Sequence, residues 1–287
     1  MNAFSRSWEL TKVTFDVINK DKELLGFAFL SFFFSTLFMI AMVFPTIISK
    51  ILESGYDENT LQITEYIIIF VTYFGLAFIA TFFNVCVVYT TKIRFEGGNA
   101  TFGESFQFAL SRIGLIFQWS LLSATVGLLL RLIENAGKNF GKIGQIVTSI
   151  IVSLLGMAWS IMTIFVVPVL VYEGLAPGAA VKKSIEVIKK TWGENLIKAI
   201  GLGLVQFLVI FVLLLVSVAL TYALTASLGV TGLLVGIGIG VLVLLLAGLI
   251  FSVANTIFNT ALYVYANQGS IASGFNEENI KNAFRTK

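Results

Sequence analysis

The sequence predicts an all-α membrane protein with about six transmembrane helices, and three observations support this prediction. Of its 287 residues, 57% are hydrophobic and only 12% are charged, whereas about a quarter of the residues in a soluble domain are charged. The apolar residues come in runs long enough to cross a bilayer core, which takes about 20 helical residues. The Lys and Arg residues cluster in alternate connections between these runs. No stretch shows the alternation of a transmembrane β-strand.

Six apolar runs define the expected spans, and the last run is the longest. They cover residues 24–48, 63–89, 113–133, 143–172, 196–224 and 229–265. The sixth run would measure roughly 55 Å as one helix at 1.5 Å per residue, so we expect it to tilt, break or project beyond the lipid. Pro168 lies near the end of the fourth run, and we expect it to kink that span.

Positive charge predicts the orientation of the spans. Fifteen of the 19 Lys and Arg residues fall on the side that carries both termini, and four fall on the other side. Because cytoplasmic loops are enriched in Lys and Arg, we expect a multi-pass protein of the cell membrane with both termini in the cytoplasm. The first 23 residues are too charged for a signal peptide, so the first span should remain as an anchor. The basic face either contacts anionic lipids or serves insertion alone.

Three cytoplasmic segments share a pattern that predicts an internal repeat. Around Ser7, Ser105 and Ser184, the apolar residues at positions −3, +1 and +8 share one helical face, and each segment precedes two spans. We therefore expect a single membrane domain over residues 1–287, with repeats at about 3–98, 99–175 and 176–269 and a cytoplasmic tail at 270–287. Each repeat is an amphipathic helix, beginning near Phe4, Phe102 or Ala176, followed by a transmembrane hairpin. The amphipathic helices lie at the membrane surface or pack against the spans.

Groups that could carry catalysis are scarce. The chain has no His, and its single Cys, Cys86, lies inside an apolar run. The commonest general base and zinc ligand is therefore missing, and no paired carboxylates or phosphate-binding loop are present. We expect no enzyme activity, no metal site, no bound cofactor and no nucleic-acid partner. No ionisable residue lies at the middle of a span, which disfavours a proton-coupled transporter.

A polar stripe on the sixth span is the main candidate for a functional surface. Its members share one helical face, namely Ser252, Asn255, Thr256, Asn259, Thr260 and Tyr263, and it could extend to Asn84, Gln118 and Gln206. The stripe either forms a buried hydrogen-bond network or lines a water-filled path. Because an amide in hydrocarbon loses its water partners, the opposite, apolar face should meet lipid. That face carries Leu249, Ile250, Val253, Ile257 and Leu262.

Glycines at the start of the sixth span predict a close helix–helix contact. Gly232, Gly236 and Gly240 form a GxxxGxxxG run, and small residues at this spacing let two helix backbones approach each other. The partner is either another helix of the same chain or a helix of a neighbouring subunit. The second alternative predicts a homo-oligomer.

Several motifs carry a family resemblance. They are RSWELTK at residues 6–12 with DKELL at 21–25, WSLLSATVG at 119–127, and VPVLVYEG at 167–174 with KS at 183–184 and WGE at 192–194. These stretches resemble a group of prokaryotic six-span membrane proteins without an assigned activity. That group is distantly similar to the membrane domain attached to some glycerophosphodiester phosphodiesterases. The resemblance covers nearly the whole chain and implies the six-span fold, but it implies no activity, because the soluble phosphodiesterase part has no counterpart in these residues.

Two functions remain open from the sequence. The first is a homo-oligomeric channel or transporter-like protein in which the polar stripe lines the path. The second is a non-catalytic membrane scaffold, lipid-binding or assembly protein that acts through its amphipathic helices. Membrane lipids are expected partners under both interpretations.

Overall fold

The computed structural model describes Lys12 and residues 14–52, 63–191 and 201–268, and these ranges are helical apart from short turns. Helix α1 covers residues 14–20, followed by α2 (Glu23–Leu52), α3 (Ile63–Phe95), α4 (Phe102–Ser111) and α5 (Ile113–Gly137). A 3₁₀ turn (Lys138–Phe140) leads to α6 (Gly141–Met162), α7 (Val166–Tyr172), α8 (Pro177–Thr191) and α9 (Gly201–Gln268). No strand occurs in these ranges, which confirms the all-α prediction for the described chain.

Four helical stretches are long and apolar enough to cross a membrane: Glu23–Pro45, Ile63–Phe95, Ile113–Tyr172 and Val205–Asn267. Most of their side chains are not covered by the chain itself, and large apolar residues are exposed along them. Removing apolar surface from water is favourable by about 25 cal/mol per Å². These stretches are therefore suited to hydrocarbon, and the chain has the helices of a membrane protein.

Two of these stretches are far longer than one crossing requires. Ile113–Tyr172 has 60 residues and Val205–Asn267 has 63, roughly 90 Å each at 1.5 Å per residue. The first is interrupted at the 3₁₀ turn and Gly141, after which α6 packs on α5 with the rings of Trp119 and Trp159 stacked 5.9 Å apart. The second is interrupted at Gly229, whose φ of 61° and ψ of −137° are not helical. Glycine adopts this conformation without a Cβ clash.

The fourth predicted span is interrupted close to its proline. Helix α6 ends at Met162, and α7 begins at Val166. Pro168 has no N–H to donate to the carbonyl of Ile164, four residues earlier, so a continuous helix would lose that hydrogen bond. Ser184 of α8 lies beside the break and accepts a hydrogen bond from the Phe165 N–H at 3.2 Å. The expected interruption at Pro168 is confirmed, and it lies about one turn before the proline.

The described helices divide into two compact units. The first unit contains α1, α2 up to Ala28, α3 from Thr90, and α9, and in it the rings of Phe15 and Phe251 meet edge to face at 6.0 Å. The second unit contains the rest of α2 and α3, with α4 to α7 and α8 up to Ile188. In the second unit α3 contacts α5 through the rings of Phe74 and Phe117, 5.1 Å apart.

Burial increases along α3 and along α9. In α3, residues 63–80 are exposed or half-buried, whereas residues 81–91 are buried except for Asn84 and Tyr89. In α9, most residues before Phe251 are exposed or half-buried, and most residues after it are buried. Each of these helices therefore has one part with exposed or half-buried side chains and one part that packs within the protein. Cys86 lies in the packed half of α3 and is buried, as expected for a small apolar residue.

Two of the three predicted cytoplasmic helices lie in the described residues. Helices α4 and α8 begin at Phe102 and Pro177, close to the predicted starts at Phe102 and Ala176. The predicted helix beginning near Phe4 lies outside the described residues. Helix α4 is separated from α5 by Arg112, whose φ of −102° and ψ of 10° break the helix, so the predicted cytoplasmic helix and the span are distinct elements.

Candidate functional site

The polar stripe occupies the packed half of α9, and its exposure decreases along the helix. Ser252 is exposed, and Asn255, Thr256 and Asn259 are half-buried. Thr260 and Tyr263 are the two of the six stripe residues that are fully buried. The stripe therefore runs from an exposed beginning at Ser252 to a buried end at Tyr263.

The face opposite the stripe is buried, which contradicts our expectation that it meets lipid. Val253, Ile257 and Leu262 have relative exposures of 2%, 0% and 2%, although Leu249 and Ile250 are half-buried. The prediction assumed that an apolar face turns towards hydrocarbon. Apolar side chains are equally stable when they pack against other side chains, and in this half of α9 they do so. Between residues 252 and 259, the polar face is consequently less buried than the apolar face.

Hydrogen bonds satisfy only part of the stripe. The Asn255 amide donates to Gln206 Oε1 at 3.0 Å, which joins the two halves of α9, as expected for Gln206. The Thr256 hydroxyl donates to the Ser252 carbonyl at 3.2 Å, within the helix itself. The half-buried Asn259 side chain makes no hydrogen bond within the described residues. Because a polar group away from water is stable only when it is hydrogen-bonded, the half-buried Asn259 side chain is suited to a contact with water.

The other two predicted members of the stripe belong to the second unit. Gln118 of α5 is exposed. The Oδ1 atom of Asn84 in α3 is buried, and no described residue donates a hydrogen bond to it. No described contact joins either residue to the stripe, so their participation stays a prediction.

The glycine run packs against the same chain. A Cβ atom added at Gly236 would lie 2.6 Å from the Cα of Thr221, and one added at Gly240 would lie 3.1 Å from the Cβ of Ser217. At Gly232 an added Cβ would clash with the carbonyl oxygen of Leu224. All three glycines therefore face the preceding half of α9, across the turn at Gly229. The run explains how the hairpin closes and no longer argues for contact with a second subunit.

A buried ion pair in the first unit was not foreseen from the sequence. The side chain of Asp21, between α1 and α2, is 1% exposed and accepts a hydrogen bond from Arg94 Nε at 2.6 Å. Arg94 Nη2 also binds the Asp21 carboxylate and donates to Asn99 Oδ1 at 2.7 Å. An aspartate directly before an apolar span was the signal that could have indicated this pair. In the sequence, Arg94 indicated only the orientation of the spans.

Polar groups of the second unit gather where α5 begins and α7 ends. Lys183 of α8 lies 3.5 Å from the carboxylate of Glu173. Gly174, which follows Glu173, has a φ of 65°, and its N–H donates to the Val169 carbonyl at 3.1 Å. Within the described residues, no group of three or more His, Cys, Asp or Glu side chains could hold a metal ion.

Comparison with known proteins relates this chain to one family. The family described as a family of unknown function (DUF6159) matches residues 63–275, which is well over half of the chain. No curated protein matches the chain. The expected distant similarity to the membrane domain of glycerophosphodiester phosphodiesterases receives no support from these comparisons.

Proposed function

Because the chain belongs to the DUF6159 family, whose function is unknown, we propose its function from its geometry: a channel or transporter-like protein in which the stripe of α9 lines a hydrated path. The exposure of the stripe carries this proposal. Ser252 is exposed and Asn259 is half-buried, while Val253 and Ile257 are buried. Polar side chains are stable where they meet water or a hydrogen-bonding partner, so a hydrated path along this face would stabilise the stripe.

We further propose that the chain crosses the membrane six times. Helices α2 and α3 each supply one crossing, and the two stretches of about 60 residues supply two crossings each because they reverse at Gly141 and Gly229. Both termini then lie on one side, and the distribution of Lys and Arg assigns that side to the cytoplasm. A tag at either end should resist protease added outside intact cells. Cleavage of either tag would contradict this topology.

Two features support the proposed threefold repeat. The pattern serines Ser105 and Ser184 are both fully buried, and each lies in a separate helix that precedes an apolar pair of helices. The glycines that follow the first two hairpins, Gly97 and Gly174, both end helices with positive φ, 85° and 65°. Positive φ at the residue after a helix is a common helix-ending conformation, so the two hairpins leave the membrane in the same way.

Helix α8 supports the proposed amphipathic character of the segments before the hairpins. Its buried residues fall on one face, at Ala180, Ser184 and Val187, while Lys182 and Lys189 are exposed. Residues three, four and seven positions apart share a face of an α-helix. The exposed lysines would meet anionic lipid heads on the cytoplasmic side, which makes membrane lipids the first proposed partners.

The position of the stripe defines which part of the path it would line. Ser252 follows the turn at Gly229 by 23 residues, roughly 35 Å along a helix at 1.5 Å per residue. A bilayer core is about 30 Å thick. With the turn at the outer boundary, the stripe lies at the cytoplasmic boundary, so we assign it to the inner mouth of the path. The scarcity of catalytic groups leads us to propose no enzymatic role.

Flux through reconstituted protein tests this function. We expect purified protein in liposomes to release a small trapped ion, and Asn259→Leu to lower that release at least severalfold, because an apolar side chain dewets the mouth. Ser227→Leu is the matched control, since Ser227 is exposed beside the turn and bonds only its own helix. Absence of flux from well-folded protein would contradict a channel and favour the scaffold, lipid-binding or assembly alternative.

A further inference from the structure

Arg112, between α4 and α5, is held in place by an aromatic pair. Its guanidinium carbon lies 5.4 Å from the ring centroid of Phe108. The Phe108 ring in turn stacks on Tyr89, with centroids 4.1 Å apart and an angle of 14° between the rings. A guanidinium over an aromatic face is attracted by the ring electrons. The stack therefore fixes the orientation of Arg112 without neutralising its charge.

Gly174 closes the other side of Arg112. A Cβ atom added at Gly174 would lie 2.8 Å from Arg112 Nη1 and 3.4 Å from Nη2. Any other residue at position 174 would therefore displace the guanidinium, besides being strained at a φ of 65°. The guanidinium fits between a ring and a stretch of backbone, which leaves it a small range of orientations.

No carboxylate neutralises Arg112 within the described chain. The neighbouring acidic residue, Glu173, lies against Lys183, with 3.5 Å between the nitrogen and the carboxylate oxygen. The other described ion pairs join Arg94 to Asp21 and Arg131 to Glu134. Arg94 is oriented by the carboxylate of Asp21. Arg112 has five N–H donors and contacts no carboxylate within the described chain.

Arg112 also lies where an apolar helix begins. It directly precedes α5, which starts at Ile113 and forms part of a stretch apolar enough to cross a membrane. In the proposed topology, Arg112 lies just outside the hydrocarbon core, where the lipid phosphates lie. The N-terminus of α5 carries a partial positive charge that also favours an anion.

We propose that Arg112 binds the phosphate group of an anionic membrane lipid. A guanidinium binds two phosphate oxygens at once through parallel N–H donors. Because the orientation of the side chain is already fixed by Phe108 and Gly174, less conformational entropy is lost on binding. The location at the start of a membrane helix selects a lipid over a soluble phosphate. This inference goes beyond the proposed path and is independent of flux.

Lipid titration of the purified full chain tests the proposal. Short-chain phosphatidylglycerol, phosphatidylcholine and inorganic phosphate are added separately to the protein in neutral detergent, and binding is followed by thermal stabilisation and by native mass spectrometry. We expect phosphatidylglycerol to bind and Arg112→Gln to weaken its binding about tenfold, the loss of one charge-assisted bidentate contact. Arg131→Gln is the matched control at the opposite end of the same helix, where Arg131 pairs with Glu134, and should leave binding unchanged.

The variant Arg112→Lys distinguishes recognition by the paired N–H donors of the guanidinium from recognition by positive charge alone. Lysine keeps the positive charge but has no planar pair of donors, so we expect it to weaken phosphatidylglycerol binding severalfold while the protein stays folded. Equal effects of Arg112→Gln and Arg131→Gln would overturn the proposal, because they would mean unspecific attraction by surface charge. Stabilisation by inorganic phosphate without selectivity for phosphatidylglycerol would overturn the lipid assignment in favour of a soluble phosphate.

Discussion

The guanidinium of Arg94 binds both oxygens of the buried Asp21 carboxylate. Nε lies 2.6 Å from Oδ2, and Nη2 binds Oδ1 while also donating to Asn99. The two residues are 73 positions apart in the sequence, so the pair ties the start of α2 to the last turn of α3. The carboxylate is 1% exposed and the arginine 25% exposed, and this asymmetry determines how the two partners respond to mutation.

Removing Arg94 should destabilise the protein more than removing the charge of Asp21. Arg94→Gln leaves a buried carboxylate without its partner, which typically costs about 3–5 kcal/mol. Asp21→Asn leaves a guanidinium that reaches solvent, so we expect a smaller loss. Both losses are measured as changes in the free energy of unfolding in detergent, followed by tryptophan fluorescence. Arg131→Gln is the control, because its pair with Glu134 is about 40% exposed and worth at most about 1 kcal/mol. A larger loss in Asp21→Asn than in Arg94→Gln would contradict this reasoning.

A bulky side chain should destabilise the protein at Gly236 but not at Gly238. In Gly236→Leu the new Cβ lies 2.6 Å from backbone of Thr221, so the two halves of α9 must separate, at a cost of about 1–3 kcal/mol. Gly238→Leu is a matched control, since an added Cβ there meets no atom within 4 Å. Thermal unfolding of both variants checks this. Equal melting temperatures for the two variants would argue against the close contact.

Ser184 should contribute to stability through its hydrogen bond to the break before α7. Ser184→Ala removes the acceptor of the Phe165 N–H, and the loss of one such bond costs about 1 kcal/mol. Ser153→Ala should change the free energy of unfolding far less, because Ser153 is exposed and bonds only the Ser149 carbonyl of its own helix. The same unfolding titration compares the two variants. If Ser184→Ala left the free energy of unfolding unchanged, water would replace the hydroxyl as the acceptor of the Phe165 N–H.

Hydropathy predicted where the membrane helices start better than where they end. The predicted starts at residues 63 and 113 agree with α3 and α5. Helix α3 was predicted to end at Tyr89 but continues to Phe95. Hydropathy detects only the part of a helix that suits lipid, whereas Lys92 and Arg94 extend α3 because positive charges stabilise a helix C-terminus.

The direction in which α9 faces could not be derived from the sequence. The spacing of Asn255 and Asn259 shows that they share a face, but spacing does not reveal which face the rest of the chain covers. That depends on contacts between distant segments, such as Phe15 with Phe251. The pair of Asp21 and Arg94 was missed for the same reason, because single residues far apart in sequence carry no periodic signal.

Labelling of engineered cysteines tests the hydrated stripe most directly. In a Cys86→Ser background, single cysteines are placed at positions 252, 255 and 259 of the stripe and at the buried positions 253 and 257. A membrane-impermeant thiol reagent is then added outside sealed, right-side-out vesicles. We expect labelling of the three stripe positions through the path and no labelling of 253 and 257. If the reagent added outside leaves the stripe unlabelled while detergent-solubilised, folded protein is labelled, no path open to the reagent joins the outside to the stripe, which contradicts the proposed function.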